Sequence, residues 1–252
     1  MAQNDEVTND RGRNERGGTD RARNDGARIV VVPATADRFD DIARVINPTG
    51  REEACWCMHW RAPAKEEVTT RGARLRELTE QEPAPGMLAY LGRDAGAVAG
   101  PGVGAGTDAG ATAGEGSEVV GWLGFSQRSA ARSLQRSRVL PVGEPETWPT
   151  TWVFMCVTVR AGFRRQGVAQ ALLDAGVDYA AAHGATTLDA FPVEPEAGRR
   201  VPVSAAFVGT VGMFERAGFD RLAPTDATSG RLTRWHMRRE VCTRPLPPSV
   251  SA

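Results

Sequence analysis

Six residues with the order Arg164-Arg165-Gln166-Gly167-Val168-Ala169 stand between an extended stretch and an apolar stretch with helical spacing. The first amides of a helix have no partner within the helix, and the aligned peptide dipoles place partial positive charge at that end. Gly167 would let a ligand approach the backbone closely, and Arg164 and Arg165 add donors for phosphate oxygens. The pattern therefore predicts a turn that binds an anion, most simply a phosphate.

The elements on either side would position this turn. Residues 153–159 are β-branched and aromatic, which predicts a strand. After the turn, apolar residues recur at helical spacing, and His183-Gly184 can end the helix. The apolar face is expected to consist of Val168, Leu172, Ala175 and Tyr179. A strand, a solvated basic turn and an amphipathic helix without any ligand would show the same pattern.

The rest of the chain alternates between strand-like and helix-like segments. Thr35 or Asp37 could cap a first helix that carries Phe39, Ile42 and Val45. Strands are predicted at residues 28–33, 87–91, 119–127, 151–159, 187–193, 221–222 and 234–241, and further helices at 65–79, 168–183 and 205–217.

Three segments lack the apolar content of a folded core. Residues 1–27 predict a disordered tail, residues 92–116 are rich in Gly and Ala and predict a flexible insert, and residues 242–252 form a Pro-rich tail. A single domain is therefore expected over residues 28–241.

Composition limits the classes of function. The chain of 252 residues has a formal net charge of zero, which argues against nucleic acid or an anionic membrane as the main partner. The sequence has neither a membrane-spanning apolar run nor the apolar region of a secretory signal, so we expect a soluble, cytoplasmic protein. Its four cysteines are expected to be reduced thiols.

The turn at residues 164–169 resembles the acyl-CoA-binding motif Arg/Gln-x-x-Gly-x-Gly/Ala of the GNAT N-acetyltransferase superfamily. The later segment Met213-Phe214-Glu215-Arg216-Ala217-Gly218-Phe219 resembles a second signature of that family. The resemblance implies a mixed α/β (α+β) fold, with a central, mostly antiparallel sheet of about six or seven strands flanked by about four helices. It extends over residues 28–241, apart from the insert.

The resemblance also implies where acetyl-CoA binds. The fourth and fifth strands of the family part, and the pantetheine arm pairs with the fourth, while the diphosphate lies on the turn. One backbone N–H of the fourth strand, that of Val157, is the implied oxyanion donor. The implied cofactor-binding residues are Val157, Thr158, Val159, Arg164, Arg165, Gln166, Gly167, Val168 and Ala169.

The implied reaction is transfer of an acetyl group from acetyl-CoA to an amine by direct attack in a ternary complex. Glu194 is the first candidate for the general base, and Glu53 and His59 are weaker candidates. The family commonly has a tyrosine as proton donor where this chain has Phe214. Ser204, the nearest hydroxyl in sequence, could donate the proton instead, or water could donate it, or the protein could lack catalysis.

The acceptor is expected to bind in a partly aromatic pocket. Its expected residues are Trp56, His59, Trp60, Trp122 and Trp152. Cys55, Cys57 and His59 could suggest zinc, but zinc prefers four ligands and no second Cys/His pair stands nearby in the sequence. We therefore expect no metal, and small buried thiols in the wall of the pocket instead.

Several alternatives stay open at the level of sequence. The acceptor amine could belong to a small molecule or to a protein, and the protein could be a homodimer. Phe214 favours a second hypothesis, a non-catalytic GNAT-like module that binds CoA or regulates a partner. Residues 128–138 are basic, but they lack the interleaved aromatics of a nucleic-acid site, so no nucleic acid is expected.

Overall fold

The computed structural model describes residues 27–63, 65, 67–93, 116–195 and 201–242. The tail predicted for residues 1–27, the insert predicted for 92–116 and the tail predicted for 242–252 lie almost entirely outside the described residues.

A seven-stranded sheet in the order β1-β2-β3-β4-β5-β7-β6 forms the centre of the described chain. Its strands are β1 (Ala27–Pro33), β2 (Gly86–Arg93), β3 (Glu118–Gln127), β4 (Thr151–Val159), β5 (Thr187–Ala190), β6 (Asp220–Ser229) and β7 (Leu232–Glu240). Strands β4 and β5 pair in parallel, and the other neighbours pair antiparallel. The predicted mixed, mostly antiparallel sheet is confirmed.

Helices cover both faces of this sheet. They are α1 (Phe39–Ile46), α2 (Arg71–Thr79), α3 (Val168–Ala182), α4 (Val203–Ala206) and α5 (Val211–Arg216). Helices α3 and α5 pack with one buried cluster, and α1 and α2 pack with a second cluster on the opposite face. No helix among the described residues is both long and apolar enough to cross a membrane.

The apolar stripe predicted for α3 is buried as expected, including Val168, Leu172, Ala175 and Tyr179. The helix ends as predicted at His183 and Gly184, which has φ +83°. The amide of Ala185 donates to the carbonyl of Ala180, and that of Gly184 donates to Ala181. These two bonds satisfy carbonyls that the last turn leaves unpaired. The length and axis of the helix behind the predicted turn are therefore fixed at both ends.

Several predicted boundaries are wrong for identifiable reasons. Helix α2 starts at Arg71 rather than at residue 65, because residues 68–70 form a 3-10 turn. The helix predicted at 205–217 is two helices, since the chain turns at Gly209 with φ +74°. Strand β5 ends at Ala190, and Pro192 follows without an N–H for a ladder.

Two further local predictions also fail. Strand β6 is much longer than the two residues predicted, because its register shifts accommodate Pro224 and the polar residues after it. Thr35 and Asp37 do not cap α1: the hydroxyl of Thr35 donates to the carboxylate of Asp37 instead, and α1 starts at Phe39.

The predicted basic connector at residues 128–138 contains a buried cation. Arg128 is 1% exposed and donates to the carboxylate of Asp189 on β5, and its other Nη donates to the carbonyls of Pro141 and Val142. Asp189 is fully buried, and both of its carboxylate oxygens also accept from Arg238. The Nε2 atom of His236 lies 3.0 Å from Oδ1 of the same carboxylate. A single carboxylate thus joins β5, β7 and the connector.

Burial alone would raise the pKa of the Asp189 carboxyl. Hydrogen bonds from His236 and Arg238 and the charge of Arg128 outweigh that effect, so that the pKa lies far below its ordinary value. Because the folded pKa is depressed, the carboxylate stabilises the fold above its unfolded pKa of about 4. That contribution is lost as the pH falls through the folded pKa.

We predict that Asp189→Asn lowers the free energy of unfolding by about 3–5 kcal/mol at neutral pH, because it leaves buried guanidinium groups without their counter-charge. Urea denaturation checks this. Between pH 6 and about pH 3 the loss of stability should be shallower in the variant than in the natural protein. Asp37→Asn, which removes an exposed carboxylate beside Arg38, is the matched control and should change little. Parallel pH profiles for Asp189→Asn and the natural protein would contradict the assignment.

Candidate functional site

Strands β4 and β5 separate part-way along the sheet. They pair only from Thr151 to Phe154 on β4, opposite Thr187 to Ala190, and β5 ends there. Strand β4 continues to Val159, so its last five residues have no strand partner on that side among the described residues. On the other side, β4 stays paired with β3 through a bulge next to Phe125. The result is one free backbone edge in the middle of the sheet.

The predicted anion-binding turn follows this edge directly. Its backbone is left-handed at Gly162 (φ +94°), Arg165 (φ +63°) and Gly167 (φ +84°). Helix α3 begins after Gly167, whose carbonyl accepts from the amide of Ala171. A Cβ added at Gly167 would meet only the Ile29 side chain, at 3.9 Å. The space beside the start of the helix is therefore open.

The amides at the start of α3 are available to a ligand. In the described part of the chain, those of Gly167, Val168 and Ala169 donate to no backbone carbonyl. Alternating right- and left-handed residues curve successive amides toward one point, which is the geometry of an anion nest. The exposed Arg164 folds back, and its Nε donates to the carbonyl of Val159 at 3.3 Å. That bond ties the turn to the end of β4.

One amide of the free edge is already bonded. The N–H of Val157 donates to the carbonyl of Phe207 at 2.7 Å. Residues 207–210, called here the Phe207 segment, also contact Val193, whose amide donates to the carbonyl of Gly209. The Val157 amide is therefore occupied in this conformation, and its role as oxyanion donor stays a prediction that requires this bond to open. A strand edge without a neighbour takes an available carbonyl, because an unpaired amide costs free energy.

The loop between α1 and α2 faces the other side of the sheet. Trp56 stacks on Phe39 at 5.7 Å and lies against Gly72. His59 and Trp60 contact each other edge to face at 4.6 Å, with His59 exposed and Trp60 half-buried. Trp56, His59 and Trp60 are the residues of the predicted aromatic pocket that keep solvent exposure.

Two of the predicted pocket residues are core residues instead. Trp122 on β3 and Trp152 on β4 are both essentially fully buried. Trp152 points to the face that carries α3, where it packs against Phe125 and Tyr179. The alternation of side chains along a strand decides this: aromatic residues in central strands are buried on whichever face they occupy. Neither tryptophan can contact an acceptor in this conformation.

The cysteine cluster contains a buried thiol pair. Cys57 has a left-handed backbone (φ +55°), and its thiol hydrogen-bonds the thiol of Cys156 on β4. That bond lowers the pKa of Cys57 against the opposing effect of burial, and the charge of Arg61 lowers it further. All four cysteines are free thiols. Among the described residues no group of three His, Cys, Asp or Glu side chains is arranged to hold a metal ion.

Arg234 on β7 lies beside the same loop. It is 6% exposed, its Nε donates to the carbonyl of Phe191, and its guanidinium lies 5.1 Å from the ring centre of Trp60. Burial lowers the pKa of Arg234 to about 10. His59 is affected in turn: partial burial lowers its pKa most, and the charges of Arg234 and Arg71 lower it further. At neutral pH the imidazole is therefore mainly uncharged.

The first candidate for the base does not reach this loop. Glu194 accepts from Arg221 at 2.8 Å, and Arg221 also binds Glu215 of α5. Glu194 therefore stands on the face that carries α5, opposite the loop with His59. Its carboxylate is engaged with Arg221 on that face, and its role as the base stays a prediction. Ser204 lies in α4, and its side chain is outside the described part of the structure.

Phe214 belongs to the core rather than to an open cleft. It is 1% exposed and packs edge to face against Phe219 at 5.1 Å. The amide of Phe219 donates to the carbonyl of Phe214 across Gly218, which closes α5 in the same way as α3 is closed. The second signature segment therefore has a clear structural role as a helix end.

Phe207 and Arg234 contact the site although no pattern in the sequence marks them. Phe207 is 43% exposed, and an apolar residue beside a glycine turn carries no recognisable chemical signal. Arg234 lies inside the predicted last strand, and an arginine with apolar neighbours on a strand near a chain end predicts a solvent-facing position. Its burial is seen only in the folded chain, where it forms a β-bridge with Val193 beyond the end of β5.

A family model and several solved structures are similar to this chain. The family model described as "Acetyltransferase (GNAT) family" matches residues 76–219. A comparison with curated proteins finds no match. The solved structures that this chain is similar to include an N-acetyltransferase from Staphylococcus aureus Mu50, with 12% identity, 84% of this chain and 98% of that chain covered, and a TM-score of 0.45.

Two other solved structures have similar values. A GCN5-related N-acetyltransferase from Kribbella flavida is 15% identical over 84% of this chain and 98% of its own, with a TM-score of 0.45. The Salmonella typhimurium protein yncA, solved with its cofactor acetyl-CoA, is 12% identical over 88% of this chain and 98% of its own, with a TM-score of 0.44. The family model covers more than half of the sequence, and the chain therefore belongs to the GNAT acetyltransferase family.

Proposed function

We propose that this protein transfers an acetyl group from acetyl-CoA to a primary amine, by direct attack of the amine on the thioester in a ternary complex. The family supports an acyl-CoA-dependent N-acyltransferase in general. One observation supports this function best: the unpaired edge of β4 leads directly into open amides at Gly167, Val168 and Ala169. A thioester arm and a diphosphate need these two backbone features side by side.

Backbone groups of this chain would hold acetyl-CoA, which supplies the activated acyl group. The amides of residues 167–169 would bind the diphosphate, with Arg164 and Arg165 near enough in the turn to add donors. The edge of β4 at Val157, Thr158 and Val159 would pair with the amide-containing arm as a strand pairs with a strand. For this, the carbonyl of Phe207 has to leave the amide of Val157.

His59 is the proton acceptor that we propose for the attacking ammonium. Its pKa is lowered by burial and by the charges of Arg234 and Arg71, so it is uncharged at neutral pH and can accept a proton. Glu194 is less suitable, since its carboxylate is paired with Arg221 on the other face. With Phe214 buried, the departing thiolate would take its proton from water or from Ser204.

A second candidate function is a module that binds CoA without turnover. Two observations favour it: Phe214 offers no proton donor, and the Val157 amide is bonded to Phe207. Thiol release from acetyl-CoA separates the two functions. An acetyltransferase releases thiol only when an amine acceptor is present, whereas a binding module gives calorimetric binding of acetyl-CoA and no release with any amine, whether small or on a protein.

We predict that Gly167→Ala raises the Kd for acetyl-CoA at least about tenfold, because the new Cβ stands where the diphosphate approaches the amides. Isothermal titration calorimetry measures this. Gly184→Ala is the matched control: it has φ +83° against +84° for Gly167, equally open space, and lies at the far end of α3. Both variants carry the same backbone strain, so equal affinities would rule out the phosphate-binding turn.

Acetyl-CoA should also displace the Phe207 segment, because the arm and the Phe207 carbonyl compete for the amide of Val157. In hydrogen-deuterium exchange followed by mass spectrometry, we expect peptides that cover residues 203–210 to exchange faster with the ligand bound. Peptides that cover the first turn of α3 should exchange more slowly. Binding without faster exchange at residues 203–210 would show that the arm does not use this edge.

We predict that His59→Gln lowers kcat by about a hundredfold or more, as expected for removal of a general base. In the natural protein, the plot of log kcat/KM against pH should become steeper at a pH below the ordinary histidine pKa of about 6.5, because the pKa of His59 is lowered. That additional slope should be absent in His59→Gln. Glu52→Gln, in the same exposed loop, is the control. A steeper acid limb that persists in His59→Gln would exclude His59 as the base.

A further inference from the structure

We propose that Arg234 binds a carboxylate of the acceptor, so that the natural substrate is an amine that also carries an anionic group. This inference rests on the proposed function, because it concerns the acceptor side of the same site. It starts from a buried arginine for which the described residues provide no counter-ion.

The guanidinium of Arg234 is held in place but is not neutralised. Its Nε donates to the carbonyl of Phe191 at 2.7 Å, and the aromatic rings of Trp60 and Phe191 lie 5.1 and 5.9 Å from it. In the described part of the chain, no carboxylate lies within ion-pair distance of it. Its pKa of about 10 leaves it charged at neutral pH. Buried charges in proteins are normally paired.

Neighbouring groups on the same sheet face cannot supply the missing charge. His236, two residues further along β7, lies 3.0 Å from the carboxylate of Asp189. Arg128 and Arg238 bind that carboxylate as well. The buried carboxylate of Asp189 is therefore already shared by two arginines. The positive charge of Arg234, on the same strand as Arg238, is left without a counter-charge among the described residues.

The free N–H groups of Arg234 can be reached by a ligand. Among the described residues, the enclosed polar side-chain atoms without a partner are Trp122 Nε1, Trp152 Nε1 and Gln170 Oε1. The two Nη atoms of Arg234 are not among them, and they have no acceptor in the described part of the chain. They therefore keep a small contact with solvent, although the residue as a whole is 6% exposed. Two parallel N–H donors in a plane match the two oxygens of a carboxylate.

The position of Arg234 fits the acceptor rather than acetyl-CoA. Trp60, which it contacts, packs against the same buried cluster as Cys156, the residue that precedes Val157 on β4. Arg234 also lies close enough to His59 for its charge to lower the pKa of the imidazole. The start of α3 is on the opposite face of the sheet. A carboxylate at Arg234 would thus place an amine beside His59 and the free edge of β4.

Matched pairs of amines test this proposal with the full-length natural protein. Suitable pairs are β-alanine with β-alaninamide and γ-aminobutyrate with its amide, in which the charged group stands apart from the amine. Affinity is measured by calorimetry with the protein saturated with CoA, and kcat/KM is measured by thiol release. We expect the acid to be preferred at least about tenfold over the amide, as a charge-assisted pair of hydrogen bonds provides.

Three variants separate recognition from a structural role. Arg234→Met should abolish the preference for the acid while the Kd for acetyl-CoA is unchanged, and Arg234→Lys should retain part of that preference. Arg76→Met is the control. Like Arg234, Arg76 lies over an aromatic ring, 3.9 Å from the ring centre of Phe39, but it has a carboxylate partner in the exposed Asp40 on α1. It should leave the preference intact.

The results for the two proposals can be told apart. Equal affinity of the natural protein for acids and amides overturns the carboxylate proposal, even if neutral amines are acetylated well and even if Arg234→Met does not fold. A preference for acids in binding without thiol release supports the carboxylate site and overturns the acetyltransferase proposal. A purely structural Arg234 predicts no acid preference in the natural protein.

Discussion

The buried carboxylate of Asp189 is the interaction on which this arrangement depends. It joins β5 to β7 and to the connector before β4, at the place where β4 and β5 are still paired. One residue beyond it, β5 ends and the two strands part. Two arginines that would repel each other are held together by Asp189, so the sheet is fixed on one side of the opening. Beyond this hydrogen-bonded network, β4 no longer has a strand partner on the side of β5 among the described residues.

Much of the fold follows from local sequence signals. The strand before the turn, the apolar stripe of α3 and its glycine-dependent end are short-range features, and the structure matches them. The boundaries that failed depend on partners far along the chain. Strand β6 forms because β7 pairs with it across two register shifts. Its own sequence, which contains Pro and Thr, does not predict a strand of this length. The burial of Arg128 is equally hidden, because its carboxylate partner stands 61 residues away.

The two sides of the site were predictable to different degrees for a physical reason. The proposed CoA side uses backbone amides, and a glycine such as Gly167 marks the place where a backbone must be approachable. The proposed acceptor side depends on side chains from the α1–α2 loop and from β7, which meet only in the folded chain. Trp122 and Trp152 are suitable by residue type, whereas their faces and depth are decided by strand pairing. Arg234 is the opposite case, because its residue type predicts exposure to solvent whereas the fold buries it.

The contact between Phe207 and Val157 bears on how a ligand would gain access to the edge of β4. An unpaired edge in the middle of a sheet takes an available backbone group, and the chain provides one in the carbonyl of Phe207. One hydrogen bond of this kind contributes about 1 kcal/mol net. A ligand that pairs with several edge groups and with the amides of α3 gains much more, so it can displace this segment. A water molecule that replaces the Phe207 carbonyl at the Val157 amide gains only a comparable single bond.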